Sequence, residues 1–194
     1  MKLRYSYKKN SKPFNGNLSG AMRKVADYMV SSTVRKIASG IPPANAPLTR
    51  AVKGGSNTLR DSGGLMSSIA GKSGQTSAEA GTNKIQARML QEGGTITPKR
   101  SKYLAIPASA RTRSLMRQFG SKPASCISGM KAGGYSVWPQ GNVLMARKGK
   151  RGRPFALFIL KSSVKIPARP FLYIDDEDEA IIVEMIRNEL GYAR

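Results

Sequence analysis

Asp175-Asp176-Glu177-Asp178-Glu179-Ala180-Ile181-Ile182-Val183-Glu184-Met185-Ile186-Arg187-Asn188-Glu189-Leu190-Gly191 is the stretch whose reading decides the fold class. An aspartate suited to cap a helix, Asp175 or Asp176, precedes acids crowded into a single turn. Unpaired backbone N–H groups and the helix dipole favour negative charge there. Ile181, Ile182, Met185, Ile186 and Leu190 then return at helical spacing, and Gly191 stops the run. The segment therefore predicts an amphipathic helix whose apolar face needs a covering layer. The acids have a sufficient role at the helix start. Consecutive residues on one turn point in different directions, which argues against a metal site at 175–179.

A second helix of this kind lies far upstream. Leu18, Met22, Val25 and Met29 recur at spacings of four, three and four, and Ile37 continues the face. This predicts a helix of about 20 residues capped by Asn17 or Ser19 and stopped by Gly40, with Arg23, Lys24, Arg35 and Lys36 off the apolar face. Between the two helices the pattern is mostly extended. Ser77–Ala80, Tyr103–Pro107, Tyr135–Trp138, Val143–Ala146 and Phe155–Lys161 read as strands, the last apolar enough to be buried. Pro139-Gln140-Gly141-Asn142 reads as a hairpin turn and Gly81-Thr82-Asn83 as a turn. Short helices are predicted near 65–69, 85–91 and 109–120, and a loop over 41–64, where Pro42, Pro43, Pro47, Gly54 and Gly55 fall. The pattern predicts an α+β fold, two main helices on an antiparallel sheet, with a long basic β-hairpin or loop insertion at 97–154. Residues 1–16 read as a basic N-terminal arm and 17–194 as a single domain containing that insertion.

Composition narrows the chemistry. The chain has 194 residues with 33 Lys and Arg, 11 Asp and Glu, and no His, a formal charge of +22. Without histidine, Ser-His-Asp and Cys-His catalysis, His-ligated metals and imidazole switching are excluded. Cys126 is the sole cysteine, so neither a disulfide framework nor a cysteine-rich zinc site is available. It reads as a small buried residue. Asp61-Ser62 lacks a neighbouring base, and Gly63-Gly64 and Gly93-Gly94 lack phosphate-loop spacing. No catalytic residue, cofactor or metal is expected. The basic N-terminus has no apolar signal-peptide core, and the longest apolar run, Phe155–Leu160, is far short of the ~20 residues a membrane helix needs. A soluble protein made inside the cell is expected.

The charge is uneven. Seven of the eleven acids fall in the last twenty residues, and none lies between Glu92 and Asp175, against sixteen Lys and Arg. Such a segment needs solvent counterions, a polyanion or an acidic neighbour. Its densest part is Arg147-Lys148-Gly149-Lys150-Arg151-Gly152-Arg153, five cations in seven residues. Arg147, Lys148, Lys150, Arg151 and Arg153 could track phosphates without reading sequence, or could form a solvated hairpin tip. Interleaved aromatics are missing, which disfavours stacking on single strands.

Several segments, in order, resemble the virion morphogenesis or tail-completion proteins of Mu-like and related tailed bacteriophages. They are Pro47-Leu48-Thr49, Asp61-Ser62-Gly63-Gly64-Leu65-Met66-Ser67-Ser68-Ile69, and Ala87-Arg88-Met89-Leu90-Gln91-Glu92-Gly93-Gly94-Thr95-Ile96. Tyr103-Leu104-Ala105-Ile106-Pro107 and Val164-Lys165-Ile166-Pro167-Ala168-Arg169-Pro170-Phe171-Leu172 follow, then the C-terminal helix. Leu90 stands where such proteins often carry a His. The resemblance implies a structural subunit of the phage neck that completes the tail and joins it to the DNA-filled head. It further implies a ring of self-copies, six being one such stoichiometry. Partners would be a connector or head-completion protein and a tail terminator or tail tube, with non-specific contact to genomic DNA and none to membrane. The location would be the virion neck or tail, after synthesis in the host cytoplasm. The box at Ile166, Pro167, Arg169, Pro170, Phe171 and Leu172 would serve assembly or packing. Its prolines would fix an extended turn, Phe171 and Leu172 would anchor the chain, and Arg169 would pair with the acidic helix start or face a neighbour. Two rivals stand beside this: a tail terminator capping the tube, and a standalone basic nucleic-acid-binding module.

Overall fold

A computed structural model describes residues 1–6, 8–9, 12–13, 17–55 and 57–191. Strands β1 (Lys2–Ser6), β2 (Lys8–Lys9) and β3 (Lys12–Pro13) lead into helices α1 (Ser19–Ser39) and α2 (Pro47–Lys53). A 3-10 turn at Met66–Ser68 precedes strands β4 (Ile69–Ser73) and β5 (Ser77–Thr82), helix α3 (Ala87–Glu92) and strands β6 (Gly94–Ile96) and β7 (Leu104–Pro107). Helices α4 (Ala110–Phe119) and α5 (Pro123–Ala132) follow. Strands β8 (Tyr135–Gln140), β9 (Val143–Lys148), β10 (Phe155–Lys161) and β11 (Val164–Ile166) then lead to helix α6 (Asp176–Glu189). The fold is α+β with antiparallel sheets. Two compact units divide the chain: Met1–Pro43, Asn57–Gly93 and Pro167–Arg194 form the first, and Ala44–Ser56 with Gly94–Ile166 the second.

In the first unit the sheet order is β1-β5-β4, with α1 on β4 and β5 and α6 beside α1. Leu18, Met22, Val25 and Met29 bury the predicted face of α1 against Ala78, Ala80, Ile182 and Ile186. Small strand residues let the helix come close. A Cβ added at Gly71 would lie 3.2 Å from the Ala26 carbonyl oxygen and 3.2 Å from a Val30 methyl. Strand β5 alternates strictly, burying Ala78, Ala80 and Thr82. Lys2–Ser6, at the start of the basic arm, pairs along β5 as an edge strand. There Arg4 Nε donates to Glu79 Oε1 at 2.7 Å, and the half-buried Leu3 packs inward. The rest of the arm pairs β2 with β3; residues 7, 10, 11 and 14–16 lie outside the described residues.

The second unit corrects the expected long basic hairpin. Residues 97–154 form no single extended hairpin. They contribute three strands and two helices to a four-stranded antiparallel sheet, order β7-β10-β9-β8, packed with α4 and α5. The central strand, β10, is the most apolar. A β-bulge at Ala156/Phe158 breaks its alternation with β9, and the adjacent Leu157 and Phe158 are both fully buried. They meet Leu115, Cys126, Met130 and Ala146. The β8–β9 turn is tighter than predicted: Gln140 pairs with Val143 across Gly141-Asn142, with Gly141 at φ 59°. Pro139 sits on β8, an edge strand, where a missing N–H is tolerated. Two helices went unforeseen. Helix α2 lies inside the predicted loop, with Pro47 in its first turn and Gly54 in the left-handed conformation at its end. Helix α5 also opens on a proline, Pro123.

One polar cluster ties α6 to α1. Asp175 caps α6: its Oδ1 accepts from Asp178 N at 2.9 Å, and Asp178 reciprocates toward Asp175 N. The Asp178 carboxylate is buried and also accepts from Tyr28 Oη (2.9 Å), Ser32 Oγ (2.6 Å) and Lys36 Nζ. Lys36 further meets Asp175 at 2.9 Å and the Tyr173 carbonyl at 3.1 Å. Burial alone would raise the Asp178 pKa, but the bonds from Lys36, Ser32 and Tyr28 outweigh it and lower it from 3.8 to about 2. The Lys36 pKa is correspondingly raised: burial opposes its charge, and hydrogen bonds to Asp178 and Asp175 overcome that.

A folded pKa below the unfolded value stabilises the protein above about pH 4, and that stability is lost as pH falls toward 2. Asp178→Asn should therefore cost about 3 kcal/mol in urea unfolding at neutral pH, since it leaves Lys36 without its buried partner. The variant should also lack the roughly 2 kcal/mol acid-linked loss that the wild type shows between pH 5 and 2. Identical pH profiles for both proteins would contradict this role.

Candidate functional site

The box at 166–172 is locked from below by one side chain. Ile166 ends β11, opposite Gly94 in β6. Beyond it, Phe171 and Leu172 are buried with Ile37, Leu65, Ile69 and Ala87. The Gln91 amide, at the end of α3, satisfies three backbone groups of the box. Its Oε1 accepts from Phe171 N at 2.9 Å and Leu172 N at 3.0 Å, and its Nε2 donates to the Leu172 carbonyl at 3.1 Å. Arg169 N donates to the Leu90 carbonyl at 2.8 Å. Arg169 itself is buried, and its Nε donates to the Pro43 carbonyl at 2.8 Å. Burial pushes its guanidinium pKa down. Lys36 meets the acidic start of α6. Sequence reasoning did not find Gln91, because an amide serving as a backbone surrogate leaves no pattern in spacing or charge.

Arg147 and Lys148 end β9, and the turn through Arg153 connects it to β10. Lys148, Lys150, Arg151 and Arg153 are exposed, and Arg147 is half-buried. Two glycines shape the turn. Gly149 has φ 61°, and a Cβ on Gly152 would press into the Lys148 carbonyl. Gly149 N donates to the Gly134 carbonyl at 3.0 Å, which ties the turn to the end of α5. The cations are placed by aromatic rings. Arg147 lies over Trp138 at 5.8 Å, Lys148 over Tyr135 at 5.8 Å and Arg111 over Phe155 at 3.9 Å. The Nε of Arg147 is buried without a hydrogen-bond partner.

The second unit contains seventeen Lys and Arg and no Asp or Glu, so all eleven acids belong to the first.

Chemistry of a catalytic kind is not assembled among the described residues. Cys126 is fully buried beside the Met130 sulfur at 3.8 Å, and burial pushes its thiol pKa up. No group of three or more Cys, Asp or Glu is gathered to hold a metal among the described residues. An open depression of about 500 Å³ in the first unit is lined by residues including Lys2, Lys72 and Glu79. Lys2 and Glu79 there are an ion pair at 3.5 Å, which needs no ligand to explain it. No helix among the described residues is long and apolar enough to cross a membrane.

The phage virion morphogenesis family matches the chain over residues 8–124. The matched span stops before the basic turn and before the 166–172 box. No curated protein and no solved structure matches the chain.

Gln91 yields a direct test of the box. Gln91→Ala leaves two N–H groups and one carbonyl of the box without partners, at about 1–3 kcal/mol each if buried water does not replace them. Urea unfolding should show a loss of about 3 kcal/mol. Gln91→Glu keeps an acceptor for the two N–H groups but sets a charged oxygen against the Leu172 carbonyl, so it too should destabilise. A Gln91→Ala variant within ~0.5 kcal/mol of wild type would show that the box is held by other means.

Proposed function

We propose, from the premise that the chain belongs to the phage virion morphogenesis family, that it is a neck subunit which completes the tail and joins it to the DNA-filled head. The family match carries this reading: such proteins build virions, a structural rather than a catalytic task. The subunit would act in a closed ring of identical copies, so that weak contacts repeated around the ring add through avidity. Its neighbours would be a connector or head-completion protein on one side and a tail terminator or the tail tube on the other.

Two features support this placement. The 166–172 box, held by Gln91 and anchored by the buried Phe171 and Leu172, suits a joint between virion parts. The carboxylate-free second unit offers a positive surface to a DNA conduit or to acidic neighbours.

Particles assembled without this protein give the test. Electron micrographs should show full heads beside separate tails of normal length, with infectivity down by several orders of magnitude. Joined, infectious virions would overturn the proposal. Tails of uncontrolled length would overturn it in favour of a terminator.

A further inference from the structure

We infer that the basic turn and the helix start beside it form a binding surface for the phosphate backbone of duplex DNA, built from Arg111, Arg147, Lys148, Lys150, Arg151 and Arg153. This deepens the neck reading, on which it rests for its place in the virion but not for the binding itself.

The second unit has its own core around Phe158 and Leu157, yet carries seventeen cations and no carboxylate. Its charges therefore repel one another within a compact fold, and only something outside it can relieve that. The cations nearest the turn lie against aromatic rings. Ion pairs would have positioned them and cancelled their charge. Instead Arg111, Arg147 and Lys148 lie over Phe155, Trp138 and Tyr135, which positions them and leaves the charge intact. Arg111 joins the turn through Phe155, two residues beyond Arg153. Gly152 is confined by the Lys148 carbonyl and Gly149 is anchored to Gly134, so the turn has a defined shape.

The same features select the polyanion. Three aromatic faces that could stack on unpaired bases are covered by cations, which points away from single strands. A protein partner would want apolar anchors at the centre of its interface. At the turn itself the exposed side chains are Lys148, Lys150, Arg151 and Arg153. Ile96 and Tyr103 are the large apolar residues exposed among the described part of the second unit. A row of exposed cations without base-reading groups fits phosphates, with affinity that owes nothing to sequence.

Anisotropy of a short labelled duplex titrated with the full-length protein tests this. Between roughly 50 and 200 mM salt, log affinity should fall against log salt with a slope of about −4 or steeper, as about five phosphates are neutralised. Lys150→Gln with Arg151→Gln and Arg153→Gln should flatten the slope by about 3, and Arg111→Gln alone by about 1. A control with Arg23→Gln, Lys72→Gln and Lys84→Gln, exposed cations of the first unit, should change it by less than about 1. Unchanged far-UV circular dichroism confirms folding of each variant. Absent DNA binding at low salt, equal flattening by the turn and control variants, or displacement by polyglutamate as readily as by unlabelled duplex would each overturn the inference. DNA affinity is read on purified protein and joining on particles, so failure of one is distinguishable from failure of the other.

Discussion

The Asp178 carboxylate stands in the first turn of α6 and faces α1, where Tyr28, Ser32 and Lys36 follow one another at intervals of four residues. That spacing places three donors in a row along one helix face. The charged group is removed from water, and its cost is met by a full set of partners. Removing any one of them exposes the rest to an unsatisfied burial, so the cluster fixes α6 against α1 in one register. Apolar packing beside it, from Met22, Val25, Ile182 and Ile186, supplies non-directional stabilisation. The polar cluster supplies direction. Tyr173, whose carbonyl also binds Lys36, connects this cluster to the chain leaving the 166–172 box.

A different constraint governs the second unit. With no carboxylate of its own, it has no internal ion pair between its lysines or arginines and an acid. In the first unit Lys36 meets both Asp178 and the Tyr173 ring, whereas in the second Arg111 and Arg147 lie over Phe155 and Trp138. A core of Leu157, Phe158, Met130 and Leu115 must outweigh the resulting repulsion. One chain thus contains a unit with 16 Lys and Arg against 11 acids and a unit with 17 against none, a division that the net figure of +22 conceals.

Much of the first unit was legible in the sequence. The faces of α1 and α6 follow from the spacing of their apolar residues, and the acids at 175–179 announce the capped start of α6. The role of Asp178 within that run was not legible, since its four acidic neighbours look alike until α1 is placed beside them. Helices α2 and α5 were missed for a related reason. Pro47, Gly54, Pro123 and Gly133 can break a structure or bracket a short helix, and α2 buries no side chain that would have marked a face. Lys2–Ser6 alternates as an edge strand should, but its basic composition reads as an arm until β5 supplies Glu79 opposite Arg4. The basic residues at 147–153 were recognised from composition. Their ordering by Trp138, Tyr135 and Phe155 depends on cross-strand and helix contacts that no local window contains.

The chain belongs to a virion morphogenesis family, and its second unit is carboxylate-free and positively charged; the proposed neck role rests on these two findings. Where the protein sits in the finished particle tests that account most directly. Labelling purified virions with antibody fragments against the chain, and imaging them by electron microscopy, should place label in a ring at the head–tail junction. Label along the tail shaft, at the distal tip, or on no part of the virion would contradict it.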